Sequence, residues 1–426
     1  MSATIEKLKE AIQRTSEARE RLLRRGTDTI IHALTHAAQN WLSPDSPWRR
    51  RAVEQAPAST GFSPQMINEA VTFTFEALTE DAFETLLRRE VGDRWQFYGP
   101  DLIAHFLAGN VPAPSINSIC FGLLLKSANL VKVSSRDPVF PALFVKSLRE
   151  VDAELADCVA VLDWRREEIS LTQAALNYAD AVIAYGDDET IAELRRLARA
   201  DATFLGYGHK LSLAVVGREA MTPLTLPALA EAAAFDASVY DQQGCLSPHA
   251  FYVEEGGELS SRAFAERLSD AMAAYAARVP RGQLTVEEAA QIAKLRDAYE
   301  FRAAADKSVA VWAGGERREW LVICEEHTMF TPSCLNRVVF VKPIKNLESI
   351  PQLMGCFASN LSTVGIAPMN PALSGMNERA KTFVAELSKL GVNRICPIGQ
   401  MQRPPLWWYH DGRPNLAELV RRIEVE

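Results

Sequence analysis

One cysteine stands apart by its neighbours. Cys245 lies in Gln242-Gln243-Gly244-Cys245-Leu246-Ser247-Pro248, a polar stretch bearing glycine and proline. A lone cysteine is usually a small core hydrophobe, and Ile119-Cys120-Phe121 and Ile323-Cys324 fit that description. A polar loop instead suits a reactive thiol, whose thiolate is the nucleophile. Three further places could serve such a thiol. Ala108-Gly109-Asn110-Val111-Pro112 is first of all a turn, yet the Asn110 amide could point into a cleft as an oxyanion donor. Leu130-Val131-Lys132-Val133-Ser134-Ser135-Arg136-Asp137-Pro138 sets Lys132, Ser134, Ser135 and Arg136 at the carboxyl end of a strand, where open α/β sheets bind ligands. A solvated strand end and a ribose or phosphate site both satisfy that pattern. Gly206-Tyr207-Gly208-His209-Lys210 is a glycine-rich bend in which His209 could act as a base, although a packed or exposed histidine is the commoner outcome.

Much other chemistry is excluded by what is missing. No Gly-x-Gly-x-x-Gly and no phosphate-binding Gly-x-x-x-x-Gly-Lys-Ser/Thr occurs. The seven cysteines and seven histidines are scattered, with no Cys-x-x-Cys and no His-Glu-x-x-His, so no metal site is expected. Lys+Arg total 46 against Asp+Glu 54, a net charge of −8, which disfavours nucleic-acid binding. The basic runs around Arg19–Arg25 and Arg49–Arg51 are short and offset by glutamate, and read as solvated faces. No apolar run reaches the roughly 18 residues of a membrane span, and the start of the chain is no signal peptide. The expected compartment is therefore the cytosol.

The elements that must carry these residues follow from hydrophobic period. Ile5, Leu8 and Ile12 open a helical quarter that continues through 28–41, 63–78 and 81–90. From about Trp95, β-type runs at 130–134, 159–162, 181–185 and 211–216 alternate with helix-length segments, the mark of parallel βαβ units. A second alternation follows the Cys245 loop, with strands at 250–253, 309–312, 320–324, 338–341 and 394–397 and helices at 261–277, 286–299 and 378–390. The tail carries Trp407, Trp408 and Tyr409, then a predicted helix over 414–423. A chain of 426 residues makes two or three domains.

Read in order, these places resemble the aldehyde dehydrogenase superfamily, and more narrowly the LuxC-type fatty acyl-CoA reductases. Gly109-Asn110-Val111-Pro112 is similar to Trp-Asn-Phe-Pro, Lys132-Val133-Ser134-Ser135 to Lys-Pro-Ser-Glu, and Tyr185-Gly186-Asp187 to the Thr-Gly-Ser turn over the cofactor. Gly206–Lys210 falls where Glu-Leu-Gly-Gly-Lys would lie, and Gln243-Gly244-Cys245 resembles the nucleophile's Gly-Gln-x-Cys. Gly391-Val392-Asn393-Arg394-Ile395, Gly399-Gln400-Met401 and His410-Asp411-Gly412 look like the closing segment of the LuxC group. The resemblance implies an α/β, aldehyde-dehydrogenase-like fold. It would hold a dinucleotide-binding domain with N-terminal helices (1–236), a catalytic-thiol domain (237–395), and a C-terminal segment (396–426) that packs on the first domain or a neighbouring subunit.

It also implies a reaction. Cys245 would take the acyl group from a thioester, Asn110 would hold the oxyanion, and His209 is a candidate proton relay. Lys132, Ser134, Ser135, Arg136, Gly186, Asp187 and Phe330 would contact the cofactor. The family's water-activating Glu is Gly206 here, which favours an acyl-thioester reductase over an acid-forming enzyme. The ribose-binding Glu is Ser135, followed by Arg136, which favours NADPH. Thr328 replaces a further Glu that touches the nicotinamide ribose. The same machinery run in reverse would be a CoA-acylating aldehyde dehydrogenase. A partner acyl-protein synthetase or carrier protein could deliver the acyl group, and a non-catalytic scaffold is the rival of another class. A homo-oligomer is expected by analogy.

Overall fold

The computed structural model describes residues 4–92, 97–112, 115–314, 319–369 and 378–422, with the side chains of 378–380 outside the description. It divides into two compact units, Met1–His209 with Pro405–Glu426, and Lys210–Pro404. The first unit opens with helices α1 (Ile5–Leu22), α2 (Thr27–Leu42), α3 (Pro47–Gln55), α4 (Pro57–Thr60), α5 (Pro64–Glu76) and α6 (Glu80–Glu90). Helix α1 forms because Leu8, Ala11, Ile12, Thr15, Ala18 and Leu22 recur on one buried face, and Thr4 caps its start by accepting the Lys7 N–H. Helix α6 places Glu80 and Asp81 in its first turn and Arg88 and Arg89 in its last, complementing the helix dipole.

The rest of this unit is β1 (Phe97–Tyr98), β2 (Leu102–Phe106), α7 (Ser115–Leu124), β3 (Ala128–Lys132), α8 (Val139–Val151), α9 (Ala153–Asp157), β4 (Val159–Leu162), α10 (Ile169–Tyr178), β5 (Ala181–Tyr185), α11 (Asp188–Leu197) and β6 (Thr203–Tyr207). Strands β2 to β6 make a parallel sheet in the order β4-β3-β2-β5-β6. Leu8, Ala11 and Ile12 of α1 join Leu102, Ala104, Leu130 and Val182 in the core on one face of that sheet.

The second unit contains β7 (Leu211–Val216), α12 (Leu226–Ser238), β8 (Pro248–Glu254), α13 (Ser261–Arg278), α14 (Val286–Ala305), β9 (Ala310–Ala313), β10 (Leu321–Cys324), β11 (Val338–Ile344), α15 (Ile350–Leu353), β12 (Leu361–Ala367), α16 (Glu378–Lys389) and β13 (Arg394–Pro397). Its seven strands run in the order β13-β12-β7-β8-β11-β10-β9, parallel except for β9 at one edge. The last strand, β14 (Arg421–Arg422), returns to pair antiparallel with β1 in the first unit.

The α/β class and the helical N-terminus agree with the sequence reading; the boundaries differ. Strand β7 is a central strand of the seven-stranded sheet, so the first unit ends at His209 rather than near residue 236, and α12 belongs to the second unit. The tail joins the first unit from Pro405. The helix expected over 414–423 is not formed in its described part: 415–419 are turns and bends and 421–422 are strand, while 423 lies outside the described residues. There the buried Glu90 carboxylate accepts the N–H groups of Asn415 (3.1 Å), Leu416 (2.6 Å) and Ala417 (3.3 Å), diverting donors from any helical ladder. Strands β2, β6 and β12 were not anticipated.

Two buried polar arrangements fix geometry near the functional loops. In β2, the fully buried His105 bridges Ser118 Oγ (2.8 Å from Nδ1) and Asn129 Oδ1 (2.9 Å from Nε2). Asn129 Nδ2 donates to Ser127 O at 2.8 Å, which orients the amide and makes Nε2 the protonated nitrogen of His105. In the second unit, two runs of non-glycine residues adopt left-handed backbone: Tyr240, Asp241 and Gln242 before the Cys245 loop, and Leu335, Asn336 and Arg337 before β11. Each such residue costs roughly 1 kcal/mol or more. They are locked together by Arg337, whose Nε donates to Asp241 Oδ1 at 2.8 Å and Nη1 to Val279 O at 2.9 Å. The Gln242 side chain completes the lock, accepting from Val338 N–H (2.8 Å) and donating to Val338 O (2.8 Å) and Pro248 O (2.9 Å).

Two outcomes follow. Burial lowers His105 from the ordinary 6.5 to about 4, so the neutral ring stabilises the fold above pH 6.5, and that stability is lost as pH falls through 4. The window corresponds to about 3 kcal/mol. His410, held low to about 4 by burial, adds a second share. Denaturant titrations of His105→Gln between pH 4 and 6.5 will show a visibly shallower acid slope than the parent; an unchanged slope would contradict the assignment. Arg337→Met strands a buried carboxylate and lowers unfolding free energy by about 3–5 kcal/mol; a loss under 1 kcal/mol in urea unfolding would show that the pair does not hold the two turns.

Candidate active site

In the first unit the parallel strands bring their carboxyl ends to one edge, and sheet growth reverses direction between β2 and β5. That reversal is the usual ligand position of an open α/β sheet. Several sequence-derived candidates gather along this edge. Asn110 is exposed on the turn after β2, Lys132 ends β3 opposite Phe106, Ser134–Arg136 follow it, and Gly186 and Asp187 follow β5. The first two motifs form one assembly. A Cβ on Gly109 would lie 2.7 Å from Arg136 Cβ and 2.7 Å from Ser134 Oγ, so only glycine lets the Gly-Asn turn rest on the Ser134–Asp137 turn. Ser134 Oγ accepts the Arg136 N–H at 3.2 Å, leaving Ser135 and Arg136 exposed.

Lys132 is half-buried; burial lowers its affinity for a proton, and the carboxylates of Asp163 and Glu167 oppose that shift. The Asp187 carboxylate caps α11, accepting the Thr190 N–H at 2.7 Å, and this hydrogen bonding holds it below the ordinary carboxylate range. A cleft of about 600 Å³ lies beside α11, lined by Arg166, Glu167 and Ile169 on one side and Glu189, Ala192, Glu193 and Arg196 on the other. Gly206 lies within β6, where a Cβ would meet Ile191 Cγ2 at 2.7 Å, so a longer side chain would displace α11. His209 is exposed, and its backbone N–H donates to Asp188 Oδ1 at 2.9 Å.

In the second unit Cys245 is half-buried on the loop between the left-handed turn and β8, and takes part in no disulfide. Its carbonyl accepts a hydrogen bond from Ser212 Oγ at 2.6 Å, and Ser212 Oγ in turn accepts the Thr363 N–H at 3.2 Å. Gln243 Nε2 donates to Asn336 Oδ1 at 2.9 Å. The loop is thus tied to β7, β12 and the turn before β11. The other cysteines have different surroundings. Burial pushes Cys158 and Cys396 up to about 12 and Cys324 up to about 11, raises Cys120 further still, and raises Cys334. Cys356 is exposed on a 3-10 turn.

Phe330 is buried in the second unit's core, edge-on to His249 and Phe357. The loop before it is anchored by the fully buried Lys342, which donates to Glu325 Oε1 and His327 O, both at 2.7 Å, and by Tyr252 OH donating to Thr328 O at 3.0 Å. Among the described residues no cluster of His, Cys, Asp and Glu could hold a metal, and no helix is long and apolar enough to cross a membrane.

The sequence reading missed the residues that hold this loop. Asp241 and Arg337 stand far apart in the chain, and nothing in their neighbours marks them as partners. Gln242 sits inside the quoted motif, yet its role as a backbone clamp emerges only from the left-handed turn.

Comparison with known proteins meets this geometry. The curated relatives include the long-chain acyl-protein thioester reductase of Aliivibrio fischeri, 26% identical over 420 residues, spanning 93% of this chain and 82% of that protein. The corresponding Photorhabdus luminescens protein is 25% identical over 415 residues, with 93% and 82% covered. Among solved structures, aldehyde dehydrogenase 21 from Physcomitrella patens superposes with a TM-score of 0.71 at 13% identity, covering 99% of this chain and 90% of that one. The NADP-dependent glyceraldehyde-3-phosphate dehydrogenase of Bacillus halodurans C-125 gives 0.69 at 13% identity, with 99% and 91% covered. These likenesses establish an aldehyde-dehydrogenase fold. The family model described as acyl-CoA reductase (LuxC) matches residues 23–422, and the chain belongs to that family.

Proposed function

We propose that the protein reduces a long-chain acyl thioester to the aldehyde through a thioester on Cys245, with NADPH as reductant. The observation that carries this reading is the placement of Cys245. Its loop is pinned from both sides, and Cys245 is half-buried where Cys120, Cys158, Cys324 and Cys396 are buried. The names of the relatives favour an acyl group delivered on a partner protein, and the family description favours acyl-CoA. Both are thioesters and call for the same step.

The residues present suit a dinucleotide. Ser115 Oγ and Asn117 Oδ1, at the start of α7 beside the sheet's reversal point, are buried atoms with no hydrogen-bond partner among the described residues. Lys132, Ser134 and Ser135 would meet ribose hydroxyls, and Arg136 the 2′-phosphate. The carboxylates Asp187, Asp188 and Glu189 crowd the first turn of α11, so that helix end is a poor anion cradle and the basic side chains carry more of the phosphate charge.

In the acylation step Cys245 Sγ bonds to the thioester carbonyl carbon, the carbon–sulfur bond to the leaving thiol breaks, and that thiol departs with a proton. Asn110 is the proposed side-chain donor to the oxyanion. With Gly206 where a water-activating carboxylate would stand, the acyl group on Cys245 is protected from hydrolysis. A bound NADPH supplies the hydride. Cys245 Sγ is then the leaving group, and its departure as thiolate restores the starting state. His209 remains a proposed relay for the proton.

Steady-state aldehyde formation tests this reading. Cys245→Ala will lose at least about a thousandfold in kcat; a variant that retains the parent rate would end the proposal. Arg136→Gln will lower kcat/KM with NADPH about tenfold or more and change the NADH value little. An equal loss with both, or a parent enzyme that prefers NADH, would refute the assignment of Arg136 and of NADPH.

A further inference from the structure

The left-handed turn fixes the Cys245 loop in space but leaves open what favours its thiolate, and the opposite side of the loop offers an answer. On β13, Arg394 stands in register with Thr363 of β12. The Thr363 N–H donates to Ser212 Oγ, and Ser212 donates to the Cys245 carbonyl, so one row of residues across three strands connects the arginine to the cysteine loop. The guanidinium is half-buried and held rigidly: Nη1 donates to Met401 O and Nη2 to Gln400 O, each at 2.7 Å. Both acceptors are backbone carbonyls. Cys245, Cys396 and Asp236 all lie within its electrostatic reach.

The loop that grips Arg394 is itself anchored. The fully buried Asp236 of α12 accepts the N–H groups of Gly399 (2.5 Å) and Met401 (3.1 Å). Gln402 Nε2 bridges Asp236 O (3.2 Å) and Ser247 Oγ (3.1 Å), two residues beyond the cysteine. Among the described residues, the charged and titratable groups on the elements that carry or hold the Cys245 loop include Arg394 and Cys396 on β13, Asp236 on α12, His249 on β8, and the Asp241–Arg337 pair with Arg281 beside it. In that set Asp241 already has its cations, Cys396 is held as a thiol, and His249 is engaged with Ser333.

We propose that Arg394 is a positioning residue whose fixed positive charge favours the Cys245 thiolate, while Asp236 on the same side of the loop opposes it. This rests on the reading of Cys245 as nucleophile. A cation within electrostatic reach of a thiol lowers the free energy of the thiolate relative to the thiol and so raises the reactive fraction at neutral pH. Asp236 has the opposite sign of effect: it is raised to about 7 by burial, and once ionised it places a negative charge on the same side of the loop.

The test is the pH profile of alkylation. Full-length protein is treated with iodoacetamide from pH 5.5 to 10, and labelling of the Cys245 peptide is followed by mass spectrometry. Arg394→Gln moves the midpoint up by about one pH unit, a tenfold slower reaction at pH 7, while the limiting rate at high pH is kept. Arg394→Lys, which retains the charge, stays within about threefold of the parent. Asp236→Asn moves the midpoint down. A purely structural role would shift the glutamine and asparagine variants the same way, or would change limiting rates alone. An unchanged midpoint in Arg394→Gln, or in Asp236→Asn should the former fail to fold, overturns the proposal. Alkylation needs no acyl substrate. A parent that alkylates as expected but takes no acyl group from a thioester therefore defeats the functional reading and leaves this one standing.

Discussion

The ion pair of Arg337 with Asp241 is the constraint on which the backbone path into the Cys245 loop depends. Six non-glycine residues in left-handed backbone are unfavourable on their own. They persist because a fully buried guanidinium spans from Asp241 to the Val279 carbonyl, and because Gln242 pairs with both backbone groups of Val338 as a neighbouring strand would. The result is a loop that leaves its turn at a fixed angle and enters β8 with Cys245 half-buried. A packed apolar turn of equal stability would lack the directional bonds that specify this one backbone path. The path of the Cys245 loop therefore depends on residues outside it, at Asp241, Val279, Arg337 and Val338.

The first unit shows a different economy. Short motifs from separate strands of its sheet converge at one edge. Gly109 makes this possible by removing the side chain that would separate its turn from the Ser134–Asp137 turn. Gly206 acts in the reverse sense. The space a side chain would need is taken by Ile191, so the absence of a carboxylate there is built into the packing of β6 on α11.

Much of this was legible in the sequence, for identifiable reasons. Alternating β and helical periods gave the α/β class, and the polar setting of Cys245 separated it from six other cysteines. Strands β2 and β12 were illegible because His105, Ser362, Thr363 and Gly365 interrupt their apolar runs, and the partners of His105 and of the Thr363 N–H lie on other elements. The helix expected over 414–423 failed because its local pattern carries no trace of Glu90, which takes the backbone donors. The domain boundary was set 27 residues late for a similar reason: β7 reads as one more strand of the first alternation, and only its pairing with β8 and β12 assigns it to the second sheet. Arg394 was visible within a motif, yet its place beside the cysteine loop comes from strand register alone.

The central claim is that Cys245 carries the acyl group, and intact-mass spectrometry tests it most directly. The protein is mixed with a long-chain acyl thioester in the absence of reductant, then given NADPH. The account predicts one added acyl mass per chain, mapped by peptide digestion to Cys245, which disappears on adding NADPH as free aldehyde forms. An adduct on another cysteine, or aldehyde formed at full rate by a chain that never gains the acyl mass, would contradict it.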